Sequence, residues 1–254
     1  MENPVIQTML NRRSVRKYTT QQPTDEVLEA VVRAGQQAPF AAQMYSILLN
    51  RKKKNPFNAP LLFTFCIDMH KLELIMARRG WKTVSNDLSI LLFGIQDAAY
   101  AAENMVIAAE SFGMGSCYLG VTPYYATRVQ KRYHLPPRVF PLVELTMGYP
   151  AEDFPPRPRY PLEFTLFEDR YPEMDEELVT RAMQAMDEGY LAQGYYIKQR
   201  AKLPIEVEGK TETYTYKDYS WTEHISRKEG QWFADPGDLL AQFKACGFTI
   251  PGVK

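Results

Sequence analysis

Cysteine and histidine are scarce, with three of each in 254 residues. Cys66, Cys117 and Cys246 are odd in number, far apart and show no CxxC spacing, which argues against a disulfide scaffold. His70, His134 and His224 are equally scattered, and no pair stands at metal-ligand spacing, so no metal is expected. An excess of one charge is also missing, because 30 Lys+Arg balance 30 Asp+Glu. Nothing global then favours nucleic acid or an anionic membrane, and any anion recognition has to be local. No apolar run approaches the roughly 20 residues that cross a bilayer. The start, MENPVIQTMLNRRSVRKY, has acidic and polar residues where a secretory signal would be apolar. A cytoplasmic location is the default expectation.

What is present favours a folded chain, since 45% of the residues are hydrophobic. This length suits one α/β domain with an extension, or two small domains. Val5, Ile6, Met9 and Leu10 are spaced for a helix over residues 3–11. Thr24 reads as the N-cap of a second helix that buries Val27, Leu28, Val31 and Val32 and ends between Gly35 and Pro39. Residues 46–50 and 60–68 read as strands. Residues 94–112, GIQDAAYAAENMVIAAESF, predict a helix buried on nearly all sides. A short strand follows in GMGSCYLGV. Thr122-Pro123 then reads as a cap and first turn of a helix to Tyr133, and residues 139–147 as a strand. The proline-rich stretch 150–172 predicts an extended arm, and 173–194 a helix. Residues 204–254, with Tyr214, Tyr216 and Tyr219 near alternation, read as a strand or irregular subdomain.

Four stretches carry chemistry. Arg12, Arg13, Ser14, Arg16 and Lys17 place four cations and a hydroxyl within six residues, a set suited to phosphate oxygens. The plainer reading is a solvated basic turn. Ala38-Pro39-Phe40-Ala41-Ala42-Gln43 is a small-residue loop that lets backbone approach a flat ligand, with Gln43 offering donor and acceptor. Gly113 to Gly120 leaves a helix and enters a strand, the reverse of a dinucleotide fingerprint, so a helix C-cap explains Gly113 and Gly115 as well. Arg157-Pro158-Arg159 holds two arginines on a stiff arm. Arg51 to Lys54 reads as a solvated loop in preference to a second anion contact. Cys117 has no adjacent His and reads as a small core residue.

Taken in order, RRSVRKY, the AP loop, IQDAAYAAENMVIAAESFGMGSCYLG and MGYPAEDFPPRPRYPLEF resemble the nitroreductase family over about residues 3–171. The resemblance implies an α+β fold, a mixed or antiparallel sheet surrounded by helices, in an intertwined homodimer with FMN at the interface. Residues 1–171 would form the FMN-binding domain. Residues 172–254 would form a C-terminal extension that wraps the partner, roofs the site or merely adds packing surface. By position, Arg12, Arg13 and Ser14 would contact the FMN phosphate and ribityl chain, with Arg159 completing the phosphate site and Arg157 as a further contact. Arg16 would approach the pyrimidine side of the flavin ring. Pro39, Phe40, Ala41 and Gln43 would line the ring in the partner's half of the site. Gly115, Ser116, Leu119 and Gly120 would approach it by backbone.

The implied chemistry is transfer of electrons from NADH or NADPH to nitroaromatics, quinones or similar acceptors by a ping-pong mechanism. Arg16 would tune the flavin, and no side-chain acid or base is assigned. Phe40, Ala41 and Gln43 stand where the family commonly has serines and an asparagine, which puts the acceptor pocket in question. Related alternatives are dehalogenation, flavin fragmentation and azoline oxidation; a more distant one is a non-enzymatic anion-binding module.

Overall fold

The structure, a computed structural model, describes residues 3–51 and 54–250. Helix α1 (Pro4–Asn11) is capped by the Asn3 side chain, and helix α2 (Asp25–Gln36) by Thr24 Oγ1 at the Val27 N–H. Asp25 and Glu26 sit in the first turn of α2, where carboxylates complement the helix dipole. Strand β1 (Tyr45–Asn50), strand β2 (Leu61–Asp68), helix α3 (His70–Arg78) and helix α4 (Asp87–Ser111) follow. Strand β3 (Gly115–Leu119), helix α5 (Ala126–Tyr133) and strand β4 (Val139–Gly148) complete the sheet region.

The sheet order is β1-β2-β4-β3 and every strand pairing is antiparallel, so the mixed alternative does not apply to the named strands. The one parallel pairing among the described residues is an isolated bridge between Ser14 and Ser116. Strand β2 is buried at all eight positions, as befits a central strand rich in Leu, Phe and Ile. Helix α4 lies on the sheet, and a Cβ at Gly94 would come within 2.4 Å of Ile67 Cγ2, so only glycine allows that approach. Ala98, Ala101, Ala102, Met105 and Val106 pack against Phe63, Phe65 and Val31 of α2 in one core. A second core joins Ile67, Ile90, Leu91 and Phe140 to Cys246 and Phe248 near the chain's end.

The chain divides into two units, residues 1–154 with 235–254, and residues 155–234. A single boundary at 171 therefore coincides with neither crossing. The arm belongs with the helical residues C-terminal to it: Pro158 packs where a Cβ on Gly189 would be, and Arg157 Nη1 donates to Gln193 Oε1 at 2.6 Å. That second unit contains α6 (Glu176–Gln193), α7 (Tyr195–Gln199) and α8 (Trp221–Gln231). The last helix, α9 (Pro236–Ala245), belongs to the first unit, where Gln242 Oε1 accepts from the Thr127 N–H and hydroxyl of α5.

Several elements differ from the sequence reading. Helix α4 starts at Asp87, with Asn86 as its cap, seven residues before the expected start. Thr122 opens a 3-10 turn over 122–125 instead of capping α5; its hydroxyl donates to Leu119 O and accepts from the Glu144 N–H. No strand forms around Tyr214 to Tyr219, and the region expected to be strand or irregular contains α8 and α9. Among the described residues no helix is long and apolar enough to cross a membrane.

Candidate active site

The basic segment is held beside the sheet by its own backbone. It leaves α1 at Arg12 and turns extended, with the Val15 N–H donating to Ser116 O at 2.8 Å. The Thr19 N–H donates to Tyr149 O, and Lys17 O accepts from the Ala151 N–H, each at 2.9 Å. Val15 is buried against Gly115, where a Cβ would come within 2.4 Å of Val15 Cγ2. Tyr18 donates its hydroxyl to Val15 O at 2.7 Å and lies 2.9 Å from Thr146 Oγ1. With Val15 locked inward, strand alternation turns Ser14 and Arg16 the other way.

Those two side chains meet Cys117. Burial pushes its thiol up, while Arg16 and Arg12 oppose the shift, helped by side-chain hydrogen bonds from Ser14 and Arg16. The thiol therefore stays neutral near pH 7, in keeping with a packing role for Cys117. Arg13 pairs with Asp153 at 2.6 Å and Lys17 with Glu152 at 2.8 Å. Among the described residues neither Arg12 nor Arg16 has a carboxylate partner. Ser116 is 1% exposed and its Oγ has no hydrogen-bond partner, and the buried Nε of Arg13 lacks one as well. Leu119 is half-buried, and Gly120 is exposed with open space where its side chain would be.

The loop after α2 is organised by a residue the sequence reading missed. Asp97 of α4 is 1% exposed, and its carboxylate accepts from the N–H groups of Ala41 at 2.6 Å, Ala42 at 3.2 Å and Met44 at 2.9 Å. Gln43 takes a left-handed backbone, φ 52°, to let the loop reach it. Pro39, Phe40, Ala41 and Ala42 are left exposed on that loop. The signal present in the sequence was a carboxylate, Asp97, beside the alanines that form the buried face of the helix. At the other end of α4 lies Glu110, whose ionisation feels Arg13 and Arg12. Thirteen residues of helix separate Asp97 from Glu110, which is about 20 Å of rise. Within one chain the loop is thus tied near the middle of α4, while the charges of the basic segment act near its C-terminal end.

In the second unit Arg157 stacks over the Tyr195 ring, 4.1 Å from its centroid. Arg159 is exposed and its Nη1 donates back to Arg157 O and Pro158 O at 2.9 and 3.0 Å. Of the other basic loop, Arg51 pairs with Asp25 at 2.9 Å, whereas Lys52 and Lys53 lie outside the described residues.

The "Nitroreductase family" model matches residues 9–49 and 47–149. The chain belongs to the nitroreductase family, and with it to the NAD(P)H-dependent FMN reductases and nitroreductases. It is 32% identical over 186 residues to the FMN reductase (NADPH) of Bacillus subtilis (strain 168), covering 66% of this chain and 75% of the relative. A match at 28% identity to an NADPH-dependent oxidoreductase of Staphylococcus epidermidis (strain ATCC 12228 / FDA PCI 1200) covers 98% of this chain and 99% of the relative. Among solved structures, the NfrA1 nitroreductase from B. subtilis superposes with a TM-score of 0.78 at 27% identity, covering 96% of this chain and 98% of that one.

Proposed function

We propose that this enzyme binds FMN and passes electrons from NADH or NADPH to nitroaromatics, quinones or similar conjugated acceptors, one substrate leaving before the next enters. The observation that carries the reading is the pair of guanidiniums, Arg12 and Arg16, that make no carboxylate ion pair among the described residues and gather with Ser14 beside β3 in a nitroreductase-family chain. The residues fit the cofactor in three respects. Two cations make no ion pair among the described residues, buried donors on Arg13 and Ser116 have no partner, and the backbone at Gly120 is open.

Bound FMN supplies the two-electron carrier that the side chains lack. Arg12, Arg13 and Ser14 hold the phosphate and ribityl chain. Arg16 places positive charge at the pyrimidine edge, where reduction builds negative charge, and so favours the reduced form. Gly115, Ser116, Leu119 and Gly120 approach the ring through backbone. Pro39, Phe40, Ala41 and Gln43 line it from a second copy of the chain, since a chain's own loop is tied to Asp97, about 20 Å of helical rise from Glu110, where its own Arg12 and Arg13 act. The enzyme is on this reading a homodimer. Exposed Val5, Ile6 and Leu10 of α1 and Leu92 and Phe93 of α4 offer the apolar surface for it.

A visible absorption spectrum tests the proposal. Protein purified without added cofactor should show flavin bands that bleach on adding NADPH or NADH under argon. A colourless protein that takes up no FMN would overturn it.

A further inference from the structure

Glu110 is the penultimate residue of α4, and its Oε1 is buried with no hydrogen-bond partner. The neighbouring Arg13 has its Nη2 committed to Asp153 at 2.6 Å, while its Nε is buried and idle. The charged and titratable groups facing Glu110 are Arg12 and Arg13 of the basic segment, Tyr18 beyond them, and Glu103 two turns back on α4. Burial raises the Glu110 carboxyl, Arg13 and Arg12 pull it down, and Glu103 raises it again, leaving it at about 7. Near neutral pH this carboxyl is therefore divided between its charged and neutral forms.

A phosphate dianion on Arg12, Arg13 and Ser14 would draw on the same two cations that restrain Glu110. It would also add like charge beside the carboxylate, and the neutral form would then win. We propose that Glu110 takes up one proton from solvent as the FMN phosphate settles on Arg12, Arg13 and Ser14, and that this makes cofactor affinity fall at alkaline pH. The proposal rests on the phosphate placement in the proposed function. The step is a protonation, carboxylate plus H⁺ giving carboxylic acid, with no redox change. Glu110 is in this account a positioning residue for charge, not a catalytic one.

The test uses apoprotein titrated with FMN and, separately, with riboflavin, followed by flavin fluorescence from pH 6 to 9. Wild-type Kd for FMN should rise above pH 7 by up to about tenfold per pH unit. Glu110→Gln should hold its affinity over that range, and riboflavin should show no such slope with either protein. Calorimetry at pH 8 in two buffers of different ionisation heat should find most of a proton taken up per FMN by the wild type and none by E110Q. Wild type that takes up no proton, or E110Q that takes up as much, overturns the proposal even if FMN is preferred to riboflavin. FMN bound no more tightly than riboflavin at every pH removes instead the phosphate placement on which it rests. The wild-type calorimetry stands by itself should the variant fail to fold.

Discussion

At Arg16 a guanidinium is exposed, lacks a carboxylate partner among the described residues and lies beside the Cys117 thiol. In the proposed site its part is charge, so Arg16→Ala should lower the flavin potential by about 30–60 mV, the two-electron equivalent of roughly 1.5–3 kcal/mol. Reduction by NAD(P)H should slow more than FMN binding weakens. Equal loss of both, measured by anaerobic titration and fluorescence, would contradict the role. Asp97 makes the opposite kind of residue, one whose carboxylate accepts from backbone N–H groups. Asp97→Ala strips the acceptor from three N–H groups, two of which can rehydrate at exposed Ala41 and Ala42. We expect a loss of about 1–3 kcal/mol in urea unfolding with an unchanged m-value. The two residues were not equally legible. Clustered cations announce themselves in a neutral chain, whereas Asp97 looks like any polar position on a helix until the loop folds onto it.

Among the elements, those set by local periodicity were legible. Helix α2 has its Thr24 cap, and α6 falls within the expected 173–194 stretch. What failed depended on tertiary partners. Thr122 spends its hydroxyl on β4 through the Glu144 N–H, a bond no local pattern announces. The tyrosines near 214–219 suggested strand alternation. Instead Tyr219 is buried on Tyr196 and His224, and the chain between is pinned by side chains. The pin is Arg227 of α8, which donates to both oxygens of Glu212 at 2.7 and 2.8 Å and to Leu203 O at 2.7 Å. Hydrogen bonds from Arg227 and Lys202 hold the Glu212 carboxyl far below its ordinary 4.5. A carboxyl lowered by folding contributes stability above its unfolded value and loses it as pH falls through the folded one. Thermal melts read by near-ultraviolet circular dichroism should therefore show wild type losing stability below pH 4.5, toward the depressed folded value. Glu212→Gln should start lower at pH 7 and lose less on acidification. Parallel curves would mean that the clamp carries no pH-linked stability.

For the whole molecule, the α+β class was legible through the family resemblance, since local pattern alone left an α/β domain or two small domains open, and the choice of antiparallel over mixed pairing came from the structure. The partition was not, since it depends on which helices the proline arm packs against and where the last helix returns. Association is the prediction that belongs at this scale. In α1 no residue is buried within the chain, although Val5, Ile6, Met9 and Leu10 are spaced as a buried face would be. Leu92→Glu combined with Phe93→Glu should shift the protein from two chains to one in analytical ultracentrifugation and reduce FMN retention with it. A monomeric wild type that binds FMN fully would rule out the shared site.

The first unit owns both ends of the chain, because residues 155–234 leave it and residues 235–254 come back. A protease that nicks the exposed stretch between 206 and 217 would cut the covalent thread yet free neither terminus from its anchorage. Shortening the chain from its carboxyl end is a different injury. It withdraws Phe243 and Phe248 from Phe140, whose ring centroid lies 4.3 and 6.4 Å from theirs, and uncorks one face of the sheet. An affinity tag is accordingly safer spliced in at residues 207–210, clear of the Glu212 clamp, than exchanged for the last fifteen residues.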